Sequence, residues 1–318
     1  MMNSFHSLLP ENIEPWETLC AGNWEHGQII PPTNRVDIEK PSPPGMTKSH
    51  LVMEEEGSLL GGLTLLVSEH AHLGSYGARY WLDLWVIEEK KGSVEGEIIQ
   101  EVEMQCRARG VTHMVSRIPD HNSRFTRIFE RAGYTPIYEE DTFIRHTHKP
   151  LDEIILSYYK DAQKKINLRV SKDIKEDIII YSDLVNEISK EVPNMSPLDQ
   201  NQLHSTITEG KKHMIGVWIF AEVDSQPAGF IGGLVSIQML FGTPQVVGNI
   251  INNGVLSTYR GMGIGTALYV EMIEEMRKWN TAYILDYMVM KDNLPERKLL
   301  TELGFTVAQT HVKMQKLL

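Results

Sequence analysis

A glycine-rich turn in the second half of the chain constrains its fold more than any other stretch. Residues 255–268 read VLSTYRGMGIGTAL, with Gly261, Gly263 and Gly265 at alternate positions behind Arg260. Backbone N–H groups that converge before a helix attract an anion, and glycine allows both close approach and a positive φ. The arginine adds a full positive charge. The turn is therefore predicted to bind a pyrophosphate, with an ordinary glycine turn as the alternative.

The surroundings of the turn argue against two kinds of nucleotide loop. Residues 249–255 are predicted to form a strand and residues 266–278 a helix. A dinucleotide loop would need GxGxxG near the start of a βαβ unit, with an acidic residue about 20 positions later. A Walker loop would need Gly-Lys-Ser/Thr. The order RGxGxG in residues 260–265 fits neither pattern.

The order of residues in the turn resembles the acyl-CoA loop of the GCN5-related N-acetyltransferases, the GNAT superfamily. Their pattern is a hydrophobic residue, four others, Arg or Gln, and then GxGxG or GxGxA, as in residues 255–265. A second landmark of that family is an Asn before a helix that ends at Gly-Phe. Asn293 and the pair Gly304-Phe305 match it. Together the two motifs resemble a GNAT domain that covers residues 167–318.

The first half of the chain carries a second, altered copy of these motifs in residues 86–96, which read VIEEKKGSVEG. One constant offset aligns Val86 with Val255, Lys91 with Arg260, Gly92 with Gly261 and Gly96 with Gly265. Val94, however, stands where the second copy has Gly263, and its branched side chain would occupy the space for phosphate. Glu95 adds a like charge. The first copy is therefore predicted not to bind CoA in the usual way.

The two copies predict the fold class and the domain organisation. We expect an α/β fold in the broad sense, an α+β mixed sheet, with two tandem GNAT-like domains. Each would be a mixed, mostly antiparallel sheet flanked by helices. Residues 1–149 would form the degenerate domain, residues 150–166 a linking helix and residues 167–318 the acetyl-CoA-binding domain. A chain of 318 residues is long enough for two hydrophobic cores.

Composition argues against several kinds of partner. The formal net charge of −11 would repel nucleic acid. No apolar run reaches the 18 or so residues of a membrane span, and residues 1–15 lack the features of a signal peptide. We therefore expect a cytoplasmic protein without a membrane partner. With two cysteines, and no HExxH spacing among 12 histidines, no metal site is expected.

The family resemblance implies acetyl-CoA as the cosubstrate and a small-molecule amine as the acceptor. On the family pattern, the CoA-binding residues are Val255, Leu256, Ser257, Arg260, Gly261, Met262, Gly263, Ile264, Gly265, Thr266 and Asn293. In this family, the loop between the first two helices usually lines the acceptor site. Asn194, Met195 and Ser196 are therefore candidate substrate contacts, unless they only form the turn.

The side-chain catalysts that many relatives carry are missing. Many relatives have a Glu in the strand before the loop, where this sequence has Asn249, Asn252 and Asn253, and a Tyr where it has Leu300. Three possibilities stay open. Asn252 or Asn253 holds a water that relays the proton, Asp286 or Tyr287 of the next strand substitutes, or no amine chemistry occurs. Asp286 lies in the apolar run ILDYMVM, where a carboxylate is costly to bury unless it is paired or functional.

Two functions of different class follow from the resemblance. The preferred one is an acetyl-CoA-dependent N-acetyltransferase whose C-terminal copy acts by direct attack of a primary amine of a small polar molecule on the thioester. Antibiotic self-resistance or detoxification would be its purpose. The alternative is a non-catalytic acyl-CoA-binding sensor or partner-recruiting module. The missing Glu and Tyr favour this alternative, whereas retention of the loop in one copy only favours the enzyme.

Overall fold

The computed structural model describes residues 4–23, 38–39, 46–68, 78–119, 123–191 and 215–318, and the structural statements below concern these residues. The strands are β1 (Ser4–Ser7), β2 (Met46–Glu55), β3 (Ser58–Ser68), β4 (Ala78–Val86), β5 (His113–Pro119), β6 (Thr135–His146), β7 (Asn167–Val170), β8 (Ile215–Val223), β9 (Gln226–Leu240), β10 (Thr243–Val255), β11 (Tyr283–Met290) and β12 (Thr306–Leu317). The helices are α1 (Ile13–Asn23), α2 (Val94–Ala108), α3 (Ser123–Arg131), α4 (Glu153–Gln163), α5 (Ile174–Ser189), α6 (Ile264–Lys278) and α7 (Leu294–Glu302).

The chain divides into two compact units. The first holds Met1–Glu139 and Thr310–Leu318, and the second holds Glu140–Gln309. Strand pairing explains this division, because the end of β6 pairs with β11 inside the second unit and the end of β12 pairs with β5 inside the first. The boundaries at residues 149 and 167, which follow from the sequence repeat, remain a prediction. The two compact units of the structure instead meet at residues 139/140 and 309/310 of the chain.

The first unit is a mixed sheet with helix α2 against it. Strands β1 to β4 pair antiparallel in chain order, β4 pairs parallel with β5, and β12 pairs antiparallel with β5. Helix α2 places Ile98, Val102 and Cys106 on one stripe because they are four residues apart. They pack with Leu63 and Leu65 of β3 in one hydrophobic cluster. The unit therefore has a core of its own.

The second unit is also a mixed, mostly antiparallel sheet flanked by helices. Strands β7, β8, β9 and β10 form an antiparallel run, β10 and β11 are parallel, and β11 pairs antiparallel with β6. A parallel pair needs a crossover connection, and α6 supplies it between β10 and β11. The predicted fold class is confirmed.

Helix α6 lies close on the sheet of the second unit because glycines leave room for it. A Cβ on Gly248 of β10 would come 2.3 Å from the sulfur of Met276, and one on Gly233 of β9 would come 2.6 Å from its methyl group. Met272 and Ile273 of the same helix are fully buried in the core. This packing holds the N-terminus of α6 beside the C-terminal end of β10, where the predicted glycine turn joins them.

Among the helices in the described ranges, none has the length and apolar character that a membrane span requires. In the same ranges, no three side chains of His, Cys, Asp or Glu are grouped to hold a metal ion. Cys20 and Cys106 are buried, and neither forms a disulfide bond. Burial raises the pKa of Cys106 to about 11, so this thiol is protonated at neutral pH and is a poor nucleophile.

Candidate active site

Strands β10 and β11 separate part of the way along their length. They pair in parallel from Val247 opposite Tyr283 to Ile250 opposite Asp286, and the pairing ends there. Strand β10 nevertheless continues to pair with β9 as far as Val255. The last residues of β10 therefore carry backbone groups that β11 does not use, on the side where the two parallel strands diverge. We call the space between them beyond Ile250 and Asp286 the strand gap.

A β-bulge aims the two predicted asparagines at the two faces of the sheet. The register of β10 against β9 shifts between Ile250 and Asn252, and a bulge of this kind reverses the alternation of side chains that follow it. The amide Nδ2 of Asn252 lies 3.2 Å from the hydroxyl of Tyr181 on α5. That of Asn253 lies 3.0 Å from the hydroxyl of Tyr269 on α6. Both asparagines flank the strand gap.

The glycine turn after β10 has the form that an anion site requires. Gly261 and Gly263 both have φ of +81°, a left-handed conformation that residues with a Cβ adopt rarely. Gly263 is the N-cap of α6 and provides no side-chain cap. A Cβ at Gly263 would also come 3.3 Å from the Cβ of Ala162. Glycine is therefore required here by both backbone conformation and space.

The first turn of α6 presents free backbone donors. The first hydrogen bond of the helix runs from Ala267 N–H to Gly263 O at 3.0 Å, so the N–H groups of Ile264, Gly265 and Thr266 have no partner within the helix. The first turn contains no acidic residue that would compete for them. With the positive end of the helix dipole, these groups fit a phosphate.

Arg260 of the same turn is engaged with the protein. Its Nε lies 3.2 Å from Val255 O, and its guanidinium forms a 2.6 Å ion pair with Glu191 just after α5. Hydrogen bonds from Ser257 and Arg260 hold the pKa of Glu191 below its usual range. Both members of the ion pair are about half exposed. A bound phosphate would therefore compete with Glu191 for the arginine.

Besides Arg260 and Ser257, two more of the predicted CoA-binding residues have side chains or amides already in use. The Leu256 N–H donates to Ala228 O at 2.9 Å, so this amide is committed to the sheet. Asn293 caps α7: its Nδ2 lies 2.6 Å from Glu296 Oε2, and its Oδ1 accepts from the Glu296 N–H at 3.4 Å. Residues 255–266 otherwise form one continuous strand end, turn and helix start, as predicted from the sequence.

A buried hydrogen-bonded cluster lies on the α6 side of the strand gap. The Tyr269 hydroxyl is 2.6 Å from Asp286 Oδ2 and 3.1 Å from Glu296 Oε1. Asn253 Nδ2 is 3.0 Å from the same Glu296 oxygen. Asp286 and Tyr269 are only 3% and 2% exposed. We call Asn253, Tyr269, Asp286 and Glu296 the gap cluster.

Burial dominates the electrostatics of the gap cluster. It raises the pKa of Asp286 well above the usual range, and the negative charge of Glu296 adds to this effect. Burial, with the two nearby carboxylates, also raises the pKa of Tyr269. On the other face, burial raises the pKa of Tyr181 to about 12, so both hydroxyls are protonated at neutral pH.

The sequence prediction included some members of the cluster and missed others. Asp286 was a candidate because it interrupts an apolar run, and it is indeed buried and hydrogen-bonded. Tyr287, the other candidate on this strand, is half-buried where the β11 register shifts. Tyr269 and Glu296 were missed, because each lies on a helix at a position that also suits an ordinary core or surface residue. The predicted acceptor contacts Asn194, Met195 and Ser196 lie outside the described residues.

A small cavity of about 320 Å³ lies next to α5, beside the residue that follows β10 and the start of β9. It is lined by Ile180, Asp183, Leu184, Glu187, Pro227 and Leu256. Asp183 and Glu187 are one helical turn apart and exposed, and Glu187 pairs with Lys190. The cavity thus combines an apolar floor with two carboxylates.

The corresponding turn of the first unit is filled by the chain itself. The Gly92 N–H donates to Glu95 Oε2 at 2.7 Å, and Arg124 of α3 pairs with the same carboxylate. Glu95 is only 1% exposed, and Val94 next to it is also buried. A carboxylate therefore stands against the backbone amide that an incoming phosphate would need.

Comparisons with known proteins agree with these features. Residues 182–305 match the model of the Acetyltransferase (GNAT) family. A tandem GNAT protein from the clavulanic acid biosynthesis pathway has a similar structure, with a TM-score of 0.72, 16% identity, and coverage of 99% of this chain and 98% of that one. A GCN5-related N-acetyltransferase from Sphaerobacter thermophilus gives a TM-score of 0.69 and 16% identity, with 99% and 95% of the two chains covered.

A more distant likeness extends to an acyl-CoA complex. The N-myristoyltransferase of Saccharomyces cerevisiae with bound myristoyl-CoA gives a TM-score of 0.59 at 10% identity, covering 98% of this chain and 78% of that one. A comparison with curated proteins gave no match. The family model confirms the expected GNAT domain in residues 182–305. The solved structures confirm a fold similar to that of a tandem GNAT protein.

Proposed function

We infer that this tandem GNAT protein, an acyltransferase that uses acetyl-CoA, acetylates a primary amine of a small polar molecule in its C-terminal copy. The observation that carries the proposal is the strand gap, which lies directly beside the glycine turn and the free amides of α6. A thioester whose phosphates rest on those amides could reach into the gap. The amine would then attack the thioester directly, without an acyl-enzyme intermediate.

The residues of the turn fit the phosphates of CoA. The N–H groups of Ile264, Gly265 and Thr266 would hold them, with Arg260 adding charge once it releases Glu191. Gly263 allows the left-handed backbone of this turn, and a Cβ there would come 3.3 Å from the Cβ of Ala162. CoA supplies an activated acetyl group and a thiolate leaving group when bound. The residues of the chain would hold the two reactants together, which can lower the activation free energy by several kcal/mol. They would also donate and accept protons during the reaction.

The chemistry transfers one proton overall from nitrogen to sulfur. A neutral amine forms a bond to the carbonyl carbon, the carbon–sulfur bond breaks, and its electron pair stays on sulfur. Asn252 and Asn253 are placed on opposite faces of the gap, so one can hold a water near the amine while the other belongs to the gap cluster. The Asn253 side chain thereby links the gap to Asp286 through Tyr269.

The acceptor is proposed to arrive as a cation. Asp183 and Glu187 border the cavity beside α5, and the formal net charge of −11 would attract an ammonium group to the protein. The similar tandem protein from clavulanic acid biosynthesis supports a small-molecule acceptor by analogy. Antibiotic self-resistance or detoxification would be the biological purpose.

A second candidate, a non-catalytic acyl-CoA sensor or partner-recruiting module, is favoured by two features. Leu300, at the position of the family's tyrosine, is fully buried, and neither Asn252 nor Asn253 can act as a general acid or base. Such a module would bind acetyl-CoA without turnover.

A thiol-release assay separates the two functions. The protein is incubated with acetyl-CoA and a broad panel of primary amines, and free thiol is followed with a chromogenic reagent. We expect release that depends on the amine and saturates with it, and mass spectrometry should find the acetylated product. Tight acetyl-CoA binding without amine-dependent thiol release for any amine of the panel would support the sensor and contradict the acetyltransferase.

A further inference from the structure

We propose that Asp286, Tyr269 and Glu296 form a proton relay that protonates the departing CoA thiolate, an inference that rests on the proposed acetyl transfer. The relay would take the place of the tyrosine that Leu300 replaces. Leu300 lies on α7 one helical turn after Glu296, so the two residues occupy the same face of the helix. The proton donor would therefore lie one helical turn earlier on α7 than the tyrosine of the relatives.

The position of the three residues supports a path from the core to the strand gap. Asp286 is the last residue of β11 that pairs with β10, so it marks the closed end of the gap. Tyr269 is buried on α6 next to it, whereas Glu296 is partly exposed in the first turn of α7. Each step is one hydrogen bond, 2.6 Å from Asp286 to Tyr269 and 3.1 Å from Tyr269 to Glu296.

The number of hydrogens in the cluster requires a stored proton. The Tyr269 hydroxyl has one hydrogen but lies within hydrogen-bond distance of two carboxyl groups, and it can donate to only one of them. A proton on Asp286 satisfies both contacts, because Asp286 then donates to the Tyr269 oxygen while Tyr269 donates to Glu296. With both carboxyl groups ionised, one of the two contacts of the Tyr269 hydroxyl would bring two acceptor oxygens together with no hydrogen between them.

The surroundings of Asp286 favour its protonated form. Burial raises its pKa most, the negative charge of Glu296 on α7 raises it further, and the hydrogen bond with Tyr269 lowers it by less than burial raises it. Strand β6 places Phe143 opposite it in the register. Arg297, the next residue on α7, pairs with Asp141 instead. No cation therefore contributes to the pKa of Asp286 among the described residues.

Asn253 holds the outer end of the relay in place. Its Nδ2 donates to both the Tyr269 hydroxyl and Glu296 Oε1, each at 3.0 Å, so both amide hydrogens are used. Asn293 holds the other oxygen of Glu296 at 2.6 Å. Glu296 is thus fixed through both carboxylate oxygens while part of its surface stays open.

The proposed step balances protons and electrons. When the carbon–sulfur bond breaks, the bonding pair stays on sulfur. Glu296 gives a proton to sulfur, having received it from Tyr269, which in turn receives the proton of Asp286. An acceptor that arrives as an ammonium first releases one proton to water. The neutral amine releases a second proton to water after it attacks, and one proton from water restores Asp286. The net result is one thiol and one amide for each amine and thioester consumed.

Infrared spectroscopy tests the stored proton in the protein alone. At pH 7 we expect a carboxylic-acid C=O band that shifts in heavy water and is lost in Asp286→Asn. The same band should persist in Tyr159→Phe, a matched control that removes a 2.5 Å bond from a tyrosine hydroxyl to Glu271 on the outer side of α6. A wild-type spectrum without the band would overturn the proposal, because Asp286 would then be ionised.

Kinetics test the relay itself. Glu296→Gln and Tyr269→Phe should lower kcat roughly 100-fold, the usual contribution of acid–base catalysis, and leave the KM for acetyl-CoA within about twofold. Wild-type kcat should fall at alkaline pH as Asp286 loses its proton. Both variants should lack this decrease. Tyr159→Phe should behave as wild type.

The outcomes separate this inference from the proposed function. An active wild type whose kcat and pH profile survive both substitutions would refute the relay and leave the acetyltransferase intact. A wild type without amine-dependent thiol release would refute the acetyltransferase, and the relay with it, whatever the infrared band shows.

Discussion

The backbone N–H of Gly92 donates a hydrogen bond of 2.7 Å to the side chain of Glu95, three residues further along the chain. Gly92 has φ of +91°, and its counterpart Gly261 has φ of +81°. A glycine with positive φ therefore stands at the same position in both copies. The first helix, however, already includes Val94 where left-handed Gly263 caps the second helix, and the Gly92 amide is occupied by the chain's own carboxylate. The loss of anion binding expected for the first copy has a physical cause in this contact.

We predict one CoA site per chain, measured by isothermal titration calorimetry. Glu95→Ala should keep that stoichiometry, because the first copy still has no glycine at the position of Gly263, but should lower the free energy of unfolding by about 1–3 kcal/mol. The reason is that the Gly92 N–H and Arg124 lose their buried acceptor. Glu88→Ala, at an exposed position, is the control. Two CoA molecules bound to the wild type would contradict this interpretation.

Gly263→Val is predicted to raise the Kd for acetyl-CoA at least tenfold, which corresponds to a loss of about 1.4 kcal/mol in binding free energy. Valine is disfavoured at φ of +81° and would also contact Ala162. Gly242→Val is a matched control, because it has φ of +77°, open surroundings and a place in a hairpin. Both variants should lose some thermal stability, but only Gly263→Val should lose affinity in calorimetry. Equal affinities for the two would mean that the turn does not bind CoA.

The ion pair between Arg260 and Glu191 predicts a substitution that strengthens acetyl-CoA binding, in contrast to Gly263→Val. Glu191→Gln should tighten acetyl-CoA binding several-fold, because the arginine no longer has to exchange a carboxylate for a phosphate. Arg260→Gln should weaken binding and reduce its dependence on salt. Titrations at two salt concentrations measure both effects. If Glu191→Gln binds more weakly than the wild type, the carboxylate supports the site and does not compete for the arginine.

Asp177 predicts how stability depends on pH. Hydrogen bonds from Arg169 and Ser171 hold its pKa below the usual range, so its stabilising contribution is present above the ordinary pKa of about 3.9. It is lost as pH falls through the lower, folded-state pKa. Asp177→Asn should therefore cost about 2 kcal/mol at pH 7 and progressively less below pH 4. Thermal unfolding between pH 7 and pH 2.5 measures the difference, with exposed Asp161→Asn as the control.

The parts of the fold that rest on local patterns could be predicted from the sequence. The strand before the glycine turn, the turn and the helix after it follow from apolar periodicity and glycine spacing, and the structure has β10 and α6 there. The hairpin turn between β2 and β3 also follows from a local pattern, and Glu56 and Gly57 in it both have positive φ. Such features depend on a few neighbouring residues, which is why one sequence is enough to predict them.

The arrangement around the strand gap could not be predicted in the same way. Strand alternation alone would place Asn252 on the α6 side, but the bulge after Ile250 reverses the two asparagines. No residue type marks that bulge. The need of Asp286 for a partner was evident from its apolar neighbours, whereas Tyr269 is 17 residues away in the sequence and resembles a core residue. Pairings of this kind depend on tertiary packing.

The placement of β12 affects how the protein can fold during synthesis. Residues 311–317, which complete the sheet of the first unit beside β5, leave the ribosome after the whole second unit has been made. The exposed edge of β5 must wait for them, although the rest of its unit is available much earlier. The second unit, whose strands are contiguous in the chain from residue 140 onwards, can close first.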